Sequence, residues 1–204
     1  CKYCINQSKR NFTRLELSPE ELAKAFLGYY NRGMVNGFFL SSGISGDVDS
    51  TMEKQIETVH LLRNKYGYDD YIHLKVVPGA SKDSIKRAMA LANRVSINIE
   101  AATPSGLAEL SSTKDYNKDI LKRLSWINSL QHKSTTYPNS THTTQLIVGA
   151  NNESDKEILT RMEKIYKNSD LKRTYFSAFT PIEVTDLGNK QACSTDRTAK
   201  LYNA

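Results

Sequence analysis

The chain has 204 residues, 39% of them hydrophobic and 25% charged, with 28 Lys and Arg against 22 Asp and Glu for a net charge of +6. That is enough chain to bury a continuous core, and the composition excludes a disordered or fibrous protein. No apolar run approaches the length needed to span a bilayer, nothing reads as a secretory leader, and three cysteines in a chain this long argue against a disulfide framework.

Taken in chain order, short apolar runs alternate with amphipathic stretches of helical length. Ser18-Pro19-Glu20-Glu21 predicts a capped helix start, with Leu22, Ala25, Phe26 and Tyr29 on one face and Gly33 as the stop. Gly37–Leu40 reads as a buried strand ended by Ser41-Ser42-Gly43. Ser50-Thr51-Met52-Glu53 has the form of a second capping box, opening a helix that carries Ile56, Val59 and Leu62 and stops before Gly67. Tyr71–Val77 is the next predicted strand, broken by Pro78-Gly79; Ser81 caps a helix with Ile85 and Met89; and Arg94–Glu100 alternates as a strand. Thr103-Pro104 starts an interrupted helical region reaching about Leu130, after which the polar stretch from Gln131 to Thr143 reads as loop. Thr144–Gly149 is a strand, Ser154-Asp155-Lys156-Glu157 caps a helix with Ile158, Met162 and Ile165, and Arg173–Phe179 is the last strand. Trp126 and the apolar helix faces read as core, and Cys193 as a bystander.

Strands separated by helices imply parallel pairing through right-handed crossovers, hence an α/β fold, either an open sheet or a barrel. Ligands in such folds gather at the carboxyl ends of the strands. Here those ends deliver Ser41-Ser42-Gly43, Pro78-Gly79-Ala80-Ser81, Asn98-Ile99-Glu100, Gly149-Ala150-Asn151 and Ser177. Strand alternation places His73 with Lys75, and Asn98 with Glu100, on shared faces. Such groups point to a polar cavity, or to salt-bridged filling of a barrel. Cys1-Lys2-Tyr3-Cys4 offers two thiols spaced to hold one metal or two corners of a cluster. By spacing alone it could equally be half a zinc site, a redox pair or two buried thiols. His60, His73, His132 and His142 are scattered, and no second Cys-x-x-Cys exists.

Cys1-Lys2-Tyr3-Cys4-Ile5-Asn6 resembles the last two cysteines of the radical S-adenosylmethionine (SAM) loop, Cys-x-x-x-Cys-x-aromatic-Cys. The resemblance implies a partial (β/α)6 TIM-like barrel. It also implies a [4Fe–4S] cluster that binds S-adenosyl-L-methionine and cleaves it reductively to a 5′-deoxyadenosyl radical for hydrogen abstraction. On that pattern Cys1 and Cys4 ligate iron, and Tyr3 lies near the adenine. Ser41, Ser42 and Gly43 take the methionyl amine, without the acidic residue common there. Asn98 and Glu100 hold ribose or carboxylate, Gly149 lies along the adenine, and His73, Lys75 and Gln145 are cavity residues without assigned roles. The first cysteine of the loop and the first barrel strand would lie upstream of Cys1.

The order CKYCIN, FFLSSG, YIHLKVVPGAS, VSINIE, TQLIVGA and YFSAF is similar to radical SAM proteins of DNA modification or repair whose genes accompany a uracil-DNA-glycosylase-like protein. This implies nucleic acid, DNA above all, as substrate, a glycosylase-like protein and an electron donor as partners, and a cytoplasmic setting away from membranes. Residues 1–181 would form the radical SAM core and 182–204 the start of a C-terminal helical extension. Two other readings stand beside it: a non-catalytic nucleic-acid-binding α/β module with structural cysteines, and a zinc-dependent barrel enzyme.

Overall fold

The structure, a computed structural model, describes residues 1–7, 10–11, 13–133 and 140–204. Five strands form one sheet in the order β1-β2-β3-β4-β5, where β1 is Phe38–Leu40, β2 Ile72–Lys75, β3 Arg94–Ser96, β4 Thr141–Val148 and β5 Arg173–Ala178. β1–β2, β2–β3 and β4–β5 all pair parallel. Strand order follows chain order without reversal. That is the winding of a (β/α) barrel wall; a doubly wound sheet would turn back at a switch point.

The chain divides into two compact units. One holds residues 13–97 and 123–142: α1 (Pro19–Tyr30), β1, α2 (Val48–His60), β2, α3 (Lys82–Leu91), β3 and nearly all of α5 (Lys122–Lys133). Ser18 and Glu21 make the expected reciprocal cap on α1. α2 starts earlier than the Ser50 motif suggested. Asp47 is its cap, the Ser50 backbone N–H donates to Asp47 Oδ1 at 2.7 Å, and Ser50 returns the bond as the third helical residue. The helix then passes into a π-helical turn, Leu61–Lys65, and stops before Gly67 as expected. This turn aims Arg63 so that its guanidinium donates to the carbonyls of Leu91, Tyr68 and Asp70 and to Asn93 Oδ1, which also accepts from the Ile72 N–H. One side chain thereby ties the end of α2, the loop before β2 and the end of α3 together. The core here is Met52, Ile56, Val59, Leu62, Ile72, Leu74, Ile85, Ala88 and Ile127, with Phe26 packed on Phe38 and Tyr68. Trp126, expected in the core, is half-buried beneath the Arg123 guanidinium, 4.9 Å from its ring centroid.

The other unit holds residues 1–12, 98–122 and 143–204, with α4 (Pro104–Leu110), a π-helical turn at Tyr116–Leu121, most of β4, α6 (Asp155–Lys167), β5 and α7 (Thr195–Tyr202). Leu107, Leu110, Tyr116, Ile120, Leu146, Val148, Ile158, Met162 and Phe179 are its core. The predicted loop from Gln131 to Thr143 is secondary structure at both of its ends. Gln131–Lys133 finish α5 and Thr141–Thr143 begin β4, while residues 134–139 of that stretch lie outside the described residues. Its polarity misled at His142, which is fully buried and meets Gln131 Oε1 at 2.8 Å. On β5, the N–H groups of Thr174 and Phe176 donate to the phenol oxygens of Tyr166 (2.7 Å) and Tyr202 (2.8 Å).

Candidate active site

The Cys1–Gln7 segment is a succession of tight turns, the Cys4 N–H donating to the Cys1 carbonyl and the Gln7 N–H to that of Cys4, each at 3.2 Å. Lys2 anchors it to the end of α4: its backbone N–H reaches the Leu110 carbonyl at 2.8 Å and its Nζ the Ala108 carbonyl at 3.2 Å. Gln7, buried, donates to Asp186 Oδ1. Both thiols are free and half-buried. A turn closed this way joins the backbone of Cys1 to that of Cys4, at the i and i+3 spacing with which two thiols can serve one cluster.

Glu100, Lys114 and Asp186 are the charged groups that act on this turn. Glu100, only 5% exposed, has φ 63°, the left-handed region that costs a β-carbon-bearing residue ~1 kcal/mol or more. β3 ends at Ser96, so the strand alternation expected through Glu100 fails there. Asn98 and Ile99 are both buried, and Glu100 touches β4 as a lone parallel bridge, its N–H donating to the Gln145 carbonyl and its carbonyl accepting from the Ile147 N–H. The carboxylate lies 3.5 Å from Lys114 Nζ through Oε1, while buried Oε2 has no hydrogen-bond partner among the described residues. Tyr3 faces the same carboxylate. Burial, then Glu100 and then Cys4 push its phenol far above the usual tyrosine range, so it holds its proton at any physiological pH.

The backbone after Glu100 is fixed on every side. The Tyr116 hydroxyl donates to the carbonyls of Ala101 (3.1 Å) and Ala102 (3.0 Å), and Arg161 Nε donates to Ala102 O at 2.6 Å. The buried Glu153 carboxylate accepts from the N–H groups of Ala102 and Thr103 and from the Thr103 hydroxyl. A strained turn persists when its surroundings over-determine it, and these contacts are what over-determines this one.

Of the residues singled out from sequence, Cys1, Tyr3, Cys4 and Glu100 come together, and buried Asn98 lies two residues before Glu100 in the same unit. Gly149, φ 84°, is the pivot after β4. A β-carbon there would stand 2.6 Å from Cys193 Cβ, so Cys193 packs against this pivot. Ser41, Ser42 and Gly43 belong to the other unit, exposed after β1, with the Ser42 hydroxyl turned onto the Gly43 carbonyl. His73 and Lys75 share one face of β2 as expected, and Gln145 donates to Ser177 Oγ at 2.8 Å. Lys114, Tyr116, Glu153 and Arg161 went unnoticed in sequence. Each acts across 14 to 59 residues, a range at which no local pattern exists. Among the described residues no group of three or more His, Cys, Asp or Glu side chains converges as a metal site, which leaves the zinc reading without a ligand set there. No helix among them is long and apolar enough to cross a membrane.

A model of the radical SAM superfamily matches residues 1–165. No curated protein matches the sequence. Among solved structures, the crystal structure of HydG, a maturase of the [FeFe]-hydrogenase, superposes with a TM-score of 0.76 at 10% identity, over 98% of this chain and 45% of that one. At that identity the likeness is one of fold, and the chain spans less than half the length of that relative. The family supplies its cofactors, a [4Fe–4S] cluster and SAM, and the paired thiols beside a buried, under-bonded carboxylate suit that donor set. The alternating parallel sheet, the Cys-x-x-Cys turn and the family match over most of its length together place the chain in the radical SAM superfamily of enzymes.

Proposed function

We propose that this chain carries the cofactor site of an enzyme that reductively cleaves SAM and uses the resulting 5′-deoxyadenosyl radical to abstract hydrogen from a nucleic acid, DNA in preference, in its modification or repair. The observation that carries the first part is the convergence of Cys1, Cys4 and Tyr3 on Glu100. The Cys1 and Cys4 thiolates would each hold one iron of the cluster. Tyr3 presents a ring and a phenol that stays protonated, so it can donate but not bear charge. Glu100, held in a left-handed turn with Oε2 unpartnered, offers an acceptor for a ribose hydroxyl or an ammonium group, and Asn98 lies beside it in sequence. Lys114 supplies the balancing cation, and Gly149 keeps the end of β4 free of a side chain. When bound, the cluster and SAM supply one-electron scission of a carbon–sulfur bond.

The nucleic-acid part is supported by the net charge of +6 and by the motif order. It brings with it a cytoplasmic setting, an electron donor and a uracil-DNA-glycosylase-like partner. The test is anaerobic reconstitution of the encoded protein with iron and sulfide. Visible cluster absorbance, and release of 5′-deoxyadenosine from SAM under dithionite, are expected, with both lost in Cys4→Ala. In Glu100→Gln the absorbance should persist while SAM affinity falls. A protein that forms no cluster and cleaves no SAM, yet binds DNA with and without Cys1 and Cys4, would instead be the non-catalytic module.

A further inference from the structure

β5, last in the sheet order, borders a groove that the site above does not use. α6, β5 and α7 belong to one unit and enclose a cavity of about 1040 Å³, the size of a ligand pocket rather than a packing void. Two of its walls are tyrosines from different helices, Tyr166 of α6 and Tyr202 of α7, 44% and 51% exposed. Their hydroxyls accept the N–H groups of Thr174 and Phe176, two residues apart along β5. Tyr202 also stands edge-to-face on Phe176, the ring centroids 5.1 Å apart and the planes at 73°. A ring pinned at its tip as well as at its helix has little rotamer freedom left to lose when something binds against it.

Lys172 and Arg173 line the groove at the amino end of β5, and Lys156 lines it from α6; all three are exposed. The Arg173 guanidinium lies 5.9 Å from the Tyr175 ring centroid. Glu163, the acidic side chain among the described lining residues, is bonded to Lys167 at 2.6 Å. Cations therefore outweigh anions here, and the ligand that complements the groove is anionic. The backbone then separates two kinds of anionic chain. An acidic peptide adding as a strand needs outward N–H groups of β5, and the two phenols already occupy two of them. A single-stranded nucleic acid needs neither amide; it takes flat rings for its bases and cations for its phosphates. Parallel folds of this kind react at the carboxyl ends of their strands, and the six residues of β5 set its amino end roughly 20 Å from there. The groove is thus placed to hold a strand rather than to react with it.

We propose that this groove anchors single-stranded DNA, one base lying against the Tyr202 and Tyr166 rings and the adjoining phosphates meeting Lys172, Arg173 and Lys156. This rests on the nucleic-acid reading above and names a surface that would carry it. The probe is a short single-stranded DNA with a central 2-aminopurine, titrated into the whole protein and followed by base fluorescence and by the anisotropy of an end label. Wild type should bind and quench. Tyr202→Leu should weaken binding about tenfold and remove most of the quenching, whereas Tyr202→Phe, which keeps the ring, should retain the quenching. Lys172→Gln and Arg173→Gln should each lower the salt slope by roughly 0.7. Circular dichroism checks that each variant folds; if Tyr202→Leu does not, the two exposed charge variants still decide, since unchanged salt slopes in both would overturn the groove. Full binding and quenching by a folded Tyr202→Leu would also overturn it and leave the nucleic-acid reading standing. Absence of DNA binding by wild type would overturn both. Tighter binding of poly-glutamate than of DNA, weakened by Lys172→Gln, would assign the groove to an acidic protein and overturn the proposal, as would Tyr202-dependent binding of adenosine monophosphate without any of the oligonucleotide.

Discussion

Gly149→Ala should be among the most damaging single-methyl additions in this chain, and the reason is divisible. Gly149 has φ 84°, and an alanine held there pays ~1 kcal/mol for left-handed backbone. The new Cβ would also stand 2.6 Å from Cys193 Cβ and 2.9 Å from its sulfur, distances that real contacts do not show. Cys193 cannot swing away cheaply, because its N–H is bonded to the Phe179 carbonyl at 2.8 Å and Ser194 already caps α7. Forced overpacking of this kind costs ~1–3 kcal/mol. The sum, ~2–4 kcal/mol, corresponds to a fall in Tm of roughly 5–12 °C for a chain of this size. The assay is a double-mutant cycle by urea denaturation with Cys193→Gly, which removes the obstructing Cβ. The backbone share should remain and the steric share should vanish, giving a coupling of ~1–3 kcal/mol, with Cys193→Ala rescuing less. Additivity within ~0.5 kcal/mol would show that Cys193 does not crowd the pivot.

Three further outcomes follow from the same geometry. Lys114→Met strands the buried Glu100 carboxylate and should cost ~2 kcal/mol in a urea midpoint, discounted for the long 3.5 Å contact and partial exposure of the lysine; adding Glu100→Gln should recover most of it. Glu153→Ala leaves the amides of Ala102 and Thr103 without acceptors and should cost ~2–3 kcal/mol, whereas Glu153→Gln, which keeps an acceptor, should cost about half as much by thermal melting. His73 titrates near 4 in the fold against about 6.5 unfolded, so the unfolded chain binds the extra proton between these values. Stability should thus be full above about pH 6.5 and fall as pH drops toward 4, with a smaller fall in His73→Gln; an imidazole NMR midpoint near 6.5 would refute the assignment.

What the sequence disclosed was mostly what neighbours a few residues apart can encode. Ser18 with Glu21 and Ser154 with Glu157 form reciprocal caps because both partners lie within one turn. The same logic overshot at Ser50, where Asp47-Val48-Asp49-Ser50 satisfies the box three residues earlier and gains an acidic cap at the positive helix end. The strand through Glu100 looked continuous because periodicity cannot register a left-handed residue that tertiary bonds hold in place. His142 and Thr143 read as loop because polar residues are counted as wet, yet both are buried. Within the site, the Cys1–Cys4 spacing and the acid at a strand end were visible. The cation, the carboxylate and the guanidinium that brace the turn were not, since each arrives from a distant part of the chain.

β5 stands last in the sheet order, and its Thr174 and Phe176 amides are already engaged by two phenols. These act as a removable latch. A newcomer strand, from this protein or another, must evict both rings before it can zip on, forfeiting ~0.5–1.5 kcal/mol per bond. Adventitious edge-to-edge growth is discouraged by that toll, while a longer, better-matched ladder would outbid it.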